Sequence, residues 1–323
     1  MKKKLYVSHT RMPNIRKYTH YLRELWKSRY LTNNGIYVQE LEERLKKYWK
    51  VKNVVCVTSG TLATEIALKA MGITKKIYLS PYSYVSTVSV PLWMGIKPVF
   101  IDLYKKVKSP YLSTHVYGLP NLYDIHPILY DASHAFCTKV EGESIMKYGD
   151  CSVISFHATK IFQSVEGGAI VTQNDELAEK CRWMRNFGHN GEYEYHGVGI
   201  NGKMSEFHAA MGLCSLDTID ETKRKYDYII YRYNMGLGYS LKDVSYYPVF
   251  YPSENDVLRA MRIFNKNTIF PRRYFYPSLN TVFGDISCPA AEELSKTVLC
   301  LPLYFELTDK DIDRIIRITK ETL

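Results

Sequence analysis

No stretch of this sequence stays apolar for the roughly 20 residues that a bilayer-spanning helix needs. The opening Met1-Lys2-Lys3-Lys4 is basic, but Tyr6 to Pro13 is mixed and polar, unlike the apolar core of a secretory signal. These absences argue against a membrane partner and against secretion, and the expected location is cytoplasmic. No CxxC pair or zinc-like cluster occurs among the seven cysteines (Cys56, Cys137, Cys151, Cys181, Cys214, Cys288 and Cys300). Most sit in apolar stretches such as Val54-Val55-Cys56-Val57, so reduced, buried thiols are expected and no metal site is. Internal repeats and low-complexity tracts are absent too, which leaves ordinary globular domains.

Acidic residues are in the minority, 33 against 43 Lys and Arg, for a formal charge of +10. Such a balance suits nucleic acid or an anionic small substrate. The pairs Lys46-Lys47, Lys75-Lys76 and Lys105-Lys106 are scattered through predicted helices and turns and form no single stripe interleaved with aromatics. Nucleic acid is therefore not an expected partner. Most lysines read as solvated surface, and their field favours a diphosphate-bearing substrate.

The 323 residues, 46% apolar and 24% charged, suffice for one large domain and a smaller one. From about residue 50 to 172, short β-branched runs alternate with helical segments, which predicts a parallel sheet covered on both faces. Strands are expected at Val54–Val57, Ile77–Leu79, Pro98–Asp102, Thr114–Tyr117, Ile128–Asp131, Ser152–Phe156 and Ala169–Thr172. Leu62, Ile66, Ala67 and Ala70 fall on one face of a helix between the first two. Helices are expected at Asp175–Arg185 and Ser205–Leu216. Residues 14–48 look helical around a turn at Leu31-Thr32-Asn33-Asn34-Gly35. After about residue 218 come Tyr-rich short strands at Val244–Tyr251, a helix near Asp256–Phe264 and a closing helix at Asp309–Leu323. The expected division is a large domain at 1–217 and a small α+β domain at 218–323.

In doubly wound sheets, ligands collect at the carboxyl ends of strands, and four loops fall there or lead into a helix. Thr58-Ser59-Gly60-Thr61 joins a strand to a helix, so it suits a phosphate, although a Ser or Thr cap alone would give the same pattern. Asp131-Ala132-Ser133-His134 places a carboxylate at a strand end. There it can hold a protonated pyridine nitrogen, with His134 near the same ring, or simply make a turn. Ser155-Phe156-His157-Ala158-Thr159-Lys160, followed by Glu166-Gly167-Gly168, puts a lysine between two core strands. An imine-forming lysine needs that kind of desolvated setting, whereas a surface lysine prefers open loops. Gly199-Ile200-Asn201-Gly202-Lys203-Met204-Ser205-Glu206 leads into a helix N-terminus.

In their order and spacing these elements resemble the DegT–StrS group of sugar-nucleotide aminotransferases. The resemblance runs from Leu31–Gly35 to Cys300-Leu301-Pro302-Leu303-Tyr304. It implies an α/β chain with the pyridoxal-phosphate-dependent transferase fold type I: a large, mostly parallel sheet flanked by helices, plus a smaller α+β C-terminal domain. The implied cofactor is pyridoxal 5'-phosphate, with pyridoxamine phosphate formed during turnover. Lys160 matches the lysine that carries it as a Schiff base and moves a proton. Asp131 matches the partner of the ring nitrogen, and His134 the residue at the ring hydroxyl. Gly60, Thr61 and Ser155 match the phosphate cradle, and Tyr84 the aromatic stacked on the ring. Asn201 matches an asparagine reaching the phosphate of a neighbouring subunit's cofactor, which implies a homodimer with shared active sites.

Leu31–Gly35, His157–Lys160, Gly202–Phe207 and Arg272-Arg273-Tyr274-Phe275-Tyr276-Pro277 resemble the subgroup that forms dTDP-4-amino-4,6-dideoxyglucose (viosamine). These enzymes use L-glutamate, released as 2-oxoglutarate, and a nucleotide-linked keto sugar. Thr32, Asn33, Glu166, Tyr274 and Tyr276 are the substrate-side candidates. The alternatives are a GDP-linked 4-keto sugar as acceptor (perosamine-type), a sugar dehydratase or lyase on the same cofactor, and a basic binding protein without catalysis. Lysine at position 160 argues against the dehydratases, which carry histidine there. Two departures stand out: the stretch between Asp102 and Ser113 is short by about one helix, and Lys203 replaces the commoner arginine.

Overall fold

Asn53–Val57 and Gly168–Thr172 are buried along their whole length, as strands covered on both faces must be. The computed structural model describes residues 3–189, 191–284 and 286–323, so the Met1-Lys2 start of the basic opening lies outside the described residues. In chain order the first elements are β1 (Leu5–Tyr6), α1 (Ile15–Ser28), α2 (Ile36–Trp49), β2 (Asn53–Val57), α3 (Gly60–Ala70), β3 (Lys76–Leu79), α4 (Ser86–Trp93) and β4 (Lys97–Phe100). Next come β5 (Tyr111–Thr114), β6 (Ile128–Asp131), the hairpin β7 (Lys139–Val140) and β8 (Glu143–Ser144), β9 (Cys151–Ser155) and β10 (Gly168–Thr172). Helices α5 (Asp175–Met184), α6 (Glu206–Leu216) and α7 (Ile219–Leu237) follow. The chain closes with β11 (Tyr247–Phe250), α8 (Glu254–Lys266), β12 (Ile269–Phe270), α9 (Asn280–Phe283), α10 (Pro289–Thr297), β13 (Val298–Leu301) and α11 (Asp309–Thr322).

Seven strands form one sheet in the order β2-β10-β9-β6-β5-β3-β4. The pairs from β9 to β4 are parallel, while β10 runs antiparallel to both β9 and β2. Residues 156–167 carry no helix to cross the sheet, so the chain returns antiparallel beside β9. The sheet is thus mostly parallel, as expected, with one reversed strand next to the lysine loop. The β4–β5 link also lacks a helix, in keeping with the short stretch after Asp102. Asp102 instead accepts from the N–H groups of Ala290 (3.1 Å) and Ala291 (2.9 Å), tying the link to the first turn of α10.

Alternation along β2 explains the layers. Val55 and Val57 pack with α3 and α4 on one face, and Val54 and Cys56 with α2 and α6 on the other. Leu41, Leu45 and Trp49 of α2 are buried at helical spacing, each contributing about 1.5–3 kcal/mol. A third core joins α7, α8, α11, β11 and β13. Leu5 belongs to that core, and β1 pairs in parallel with β12, so the first strand lies with the C-terminal elements. All seven cysteines are free, and all but Cys137 are buried. No helix of the described residues is long and apolar enough to cross a membrane.

Two expectations need correction. The strand placed at Thr114–Tyr117 lies at Tyr111–Thr114, because Tyr117 has φ 61° within a 3-10 turn and cannot extend a strand. The Val244–Tyr251 strands reduce to β11, and the helix α7 has no counterpart in the sequence reading.

Candidate active site

Three carboxyl-end features meet around one cavity. At the start of α3, Ser59 caps the helix: its hydroxyl accepts from the Leu62 N–H (3.1 Å) and its carbonyl from the Ala63 N–H (3.0 Å). The capping role expected of this loop is therefore met, yet it leaves room for more. The first-turn N–H groups of Gly60 and Thr61 have no intrahelical partner and no acceptor among the described residues. Gly60 is required by close approach, since a Cβ there would lie 2.8 Å from the Ser155 Cβ. A Cβ on Gly168 would lie 2.6 Å from the Gly60 nitrogen, so β9, β10 and α3 meet at backbone contact. The result is an open, positively polarised helix end beside the Ser155 hydroxyl, a setting that takes a phosphate.

At the end of β6, Asp131 is 8% exposed and accepts from the Ser133 N–H at 2.9 Å. His134 lies between the rings of Tyr246 (4.7 Å) and Phe275 (5.7 Å). Its Nδ1 accepts from the Tyr117 N–H (3.2 Å), which assigns the ring proton to Nε2. Burial, aided by the charge of Lys160, holds the imidazole well below its ordinary pKa, so it stays neutral.

Lys160 stands in the β9–β10 loop, with its N–H donating to the His157 carbonyl (2.9 Å) and its Nζ 5.9 Å from the Tyr246 ring centroid. Burial pushes its ammonium down to about 8, although the Asp131 carboxylate pulls the other way. Lys160 makes no ion pair among the described residues, so nothing holds its proton tightly. An amine in this state is both nucleophile and base near neutral pH.

The cavity encloses about 290 Å³. It gathers Gly60, Thr61, Tyr84, Asp131, His134, Ser155, Lys160, Glu166 and Tyr274 from the expected set. The donor set suits a phosphorylated pyridine aldehyde: N–H groups for the phosphate, a carboxylate for a ring nitrogen, an Nε2–H donor and an amine. The remaining candidates lie elsewhere. Thr32 and Asn33 sit on an exposed turn, and Asn33 borders a separate hollow with Arg182, Arg185 and Lys203. The Asn201 Oδ1 accepts from Lys203 Nζ at 2.7 Å, and the Tyr276 ring lies 3.4 Å from the Arg273 guanidinium.

Sequence reading missed several lining residues, among them His157, Thr159, Tyr246 and Arg272. His157 bonds the Thr159 hydroxyl through Nδ1 (2.9 Å) and approaches Glu166 through Nε2 (3.7 Å). His157 lies inside the Ser155–Lys160 motif and Arg272 inside the Arg272–Pro277 motif, so a signal existed for both. Tyr246 lies beyond α7 and has no local signal. Glu206 was missed in a different role: its carboxylate accepts from the N–H groups of Tyr37 (2.8 Å) and Val38 (3.2 Å), capping α2. Its own N–H donates to the Leu31 carbonyl (3.0 Å), which ties the 31–35 turn to α6.

The sequence profile of the DegT/DnrJ/EryC1/StrS aminotransferase family matches residues 14–110 and 124–320. A dTDP-4-amino-4,6-dideoxy-D-glucose transaminase from Shigella dysenteriae is 32% identical over 367 aligned residues, covering 99% of this chain and 100% of that protein. An Escherichia coli protein of the same name is also 32% identical, over 97% of this chain and 96% of its own length. Among solved structures, that of DesI with its TDP-sugar product superposes with a TM-score of 0.90 at 25% identity, over 99% of this chain and 93% of that one.

Proposed function

The chain belongs to the DegT/DnrJ/EryC1/StrS aminotransferase family, and on that premise we propose that it moves the amino group of L-glutamate to carbon 4 of a dTDP-linked 4-keto-6-deoxyhexose. The product is dTDP-4-amino-4,6-dideoxyglucose, and the cofactor is pyridoxal 5'-phosphate held through Lys160. The observation that carries this reading is a half-buried, unpaired lysine facing a strand-end carboxylate beside an open helix N-terminus. The acceptor is drawn from the two transaminases that align over nearly the full chain.

Bound pyridoxal phosphate supplies an electron sink and a carrier for the amino group. The residues do the rest. Gly60 and Thr61 N–H groups and the Ser155 hydroxyl would hold the phosphate. Asp131 would keep a proton on the ring nitrogen. His134 would offer its Nε2–H to the ring hydroxyl, and Tyr84 would cover the ring. Lys160 would anchor the cofactor and, as a free amine, would carry the proton to and from the donor's α-carbon. With the keto sugar the same amine returns a proton to carbon 4. A depressed pKa suits both directions, because the group is free to accept and ready to give near neutral pH.

With the chain divided at 217/218, the C-terminal domain supplies a wall of the cavity through Tyr246, Arg272, Tyr274 and Phe275. Thr32, Asn33 and Asn201 lie outside their own chain's cavity, which supports a homodimer in which Asn201 serves the neighbouring site. The test is a coupled assay with glutamate and a panel of dTDP- and GDP-linked 4-keto sugars, read by product mass and NMR. Net gain of nitrogen at carbon 4 of the dTDP sugar is expected. Loss of a hydroxyl without nitrogen, or preference for the GDP sugar, would replace the reading.

A further inference from the structure

Arg272 and Arg273 are adjacent, yet their guanidinium groups have opposite fates. Arg273 is paired: its Nη2 donates to Glu254 at 2.7 Å and to the Lys296 carbonyl at 3.3 Å, and its guanidinium lies 3.4 Å from the Tyr276 ring centroid. Arg272 lines the cavity that holds Lys160 and has no carboxylate partner among the described residues. Its guanidinium lies 5.1 Å from the Tyr274 ring centroid, on the same wall. The backbone beneath it is fixed, since Arg272 N–H donates to the Cys300 carbonyl (3.1 Å) and Cys300 N–H to the Arg272 carbonyl (2.8 Å). The position is therefore set by the strand edge at β13 and not by a loose loop.

The other charges around the cavity already have company. Asp131 receives the Ser133 N–H and faces Lys160, and Glu166 faces His157. A permanently charged planar fork is left over on the wall contributed by the C-terminal domain. Phosphate contacts for the cofactor come from α3, built by a different region of the chain, so Arg272 is free for a substrate oxyanion. Guanidinium geometry matches carboxylate and phosphate alike through paired N–H donors.

We propose that Arg272 is the oxyanion-binding, specificity-determining residue of the substrate side of the cavity, taking a carboxylate of the amino donor or the diphosphate of the nucleotide sugar. This rests on the aminotransferase reading above. The experiment compares wild type with Arg272→Gln and Arg272→Lys in two separate half-reactions, one with glutamate and one with the keto-sugar nucleotide. Calorimetric titration with 2-oxoglutarate and with dTDP reads the same contact without turnover. Arg272→Gln is expected to raise KM and Kd about 10- to 100-fold for the partner it holds, with kcat changed far less, as loss of one charged hydrogen-bonded pair implies. Arg272→Lys, a point charge without the fork, is expected to recover only some of the loss. An effect confined to glutamate and 2-oxoglutarate assigns the carboxylate, one confined to sugar nucleotide and dTDP assigns the diphosphate, and an effect on both assigns a contact used in turn. Unchanged KM and Kd for every partner, in a variant that melts like wild type, overturns the proposal. A wild type that aminates no sugar overturns the functional reading instead, and the titrations still decide for Arg272.

Discussion

Arg185 is a buried cation and Lys160 a half-buried one, and the molecule surrounds them in opposite ways. The Arg185 side chain is 6% exposed and donates to Glu42, to the Cys56 carbonyl (2.7 Å) and to Asn34 (2.9 Å). Glu42 in turn accepts from the Cys56 N–H at 2.8 Å. Every strong partner that a buried guanidinium needs is present, so this cluster joins α2, β2 and the end of α5. Lys160 has only the face of Tyr246 and an attraction to Asp131 too weak to outweigh its burial. A satisfied buried charge holds a fold together, whereas one left short of partners gives up its proton and becomes reactive.

The sharpest way to break that contrast is to remove the amine. Lys160→Ala is expected to lower kcat by more than about 10³-fold, since the proposed covalent link and proton carrier both go, while the melting temperature does not fall. Steady-state turnover with a thermal melt checks both halves of the statement. Arg185→Ala should behave in the opposite manner. It strands Glu42 in the interior and is expected to cost about 3–5 kcal/mol, read by urea unfolding.

A third variant turns the comparison into a pH experiment. Lys160 has a folded pKa of about 8 against an ordinary value of 10.5. Between those values the unfolded chain binds more protons than the folded one, so this group's contribution to stability rises with pH across that window. Below about 8 the lysine is charged in both states and the folded chain bears the full desolvation cost. Lys160→Met is therefore expected to stabilise the cofactor-free protein at pH 7 by up to about 3 kcal/mol, with the advantage fading above pH 8 and gone near 10.5. Unfolding curves at pH 7 and pH 10 measure it. The smallest effect concerns the helix end. Gly60→Ala drives a methyl group toward Ser155, and is expected to cost about 1–3 kcal/mol and to weaken pyridoxal phosphate binding, where a helical Gly→Ala change is otherwise mildly favourable. Fluorescence titration with the cofactor reads the loss of binding.

What the sequence makes legible follows from how local each signal is. Asp131 ends a short apolar run and Lys160 lies in the loop between two such runs, so position relative to the strands marks both as candidates. Gly60 is legible for the same reason, as the junction of a strand and a helix. The boundary of β5 is not, because Ser113 and Thr114 are polar yet buried, and Tyr117 looks like a strand residue until its φ is known. The reversal of β10 depends on residues 156–167 carrying no crossover helix, which composition does not announce. Tyr246 and Arg272 reach the cavity only because β11 and β13 pair and bring distant stretches of the chain to its wall, so no local pattern exposes Tyr246. Arg272 stands at the head of the Arg272–Pro277 motif, where the tyrosines are the more conspicuous candidates. Of those tyrosines, Tyr274 lines the cavity and Tyr276 pairs with Arg273 instead.

The most direct measurement follows the capture of pyridoxal phosphate by cofactor-free protein, trapped with borohydride across pH 6 to 11 and located by peptide mass. The account predicts a single label on Lys160, with a capture rate that is half-maximal near the amine's depressed value of about 8. A label on any other lysine, or a half-point near the ordinary 10.5, would contradict it.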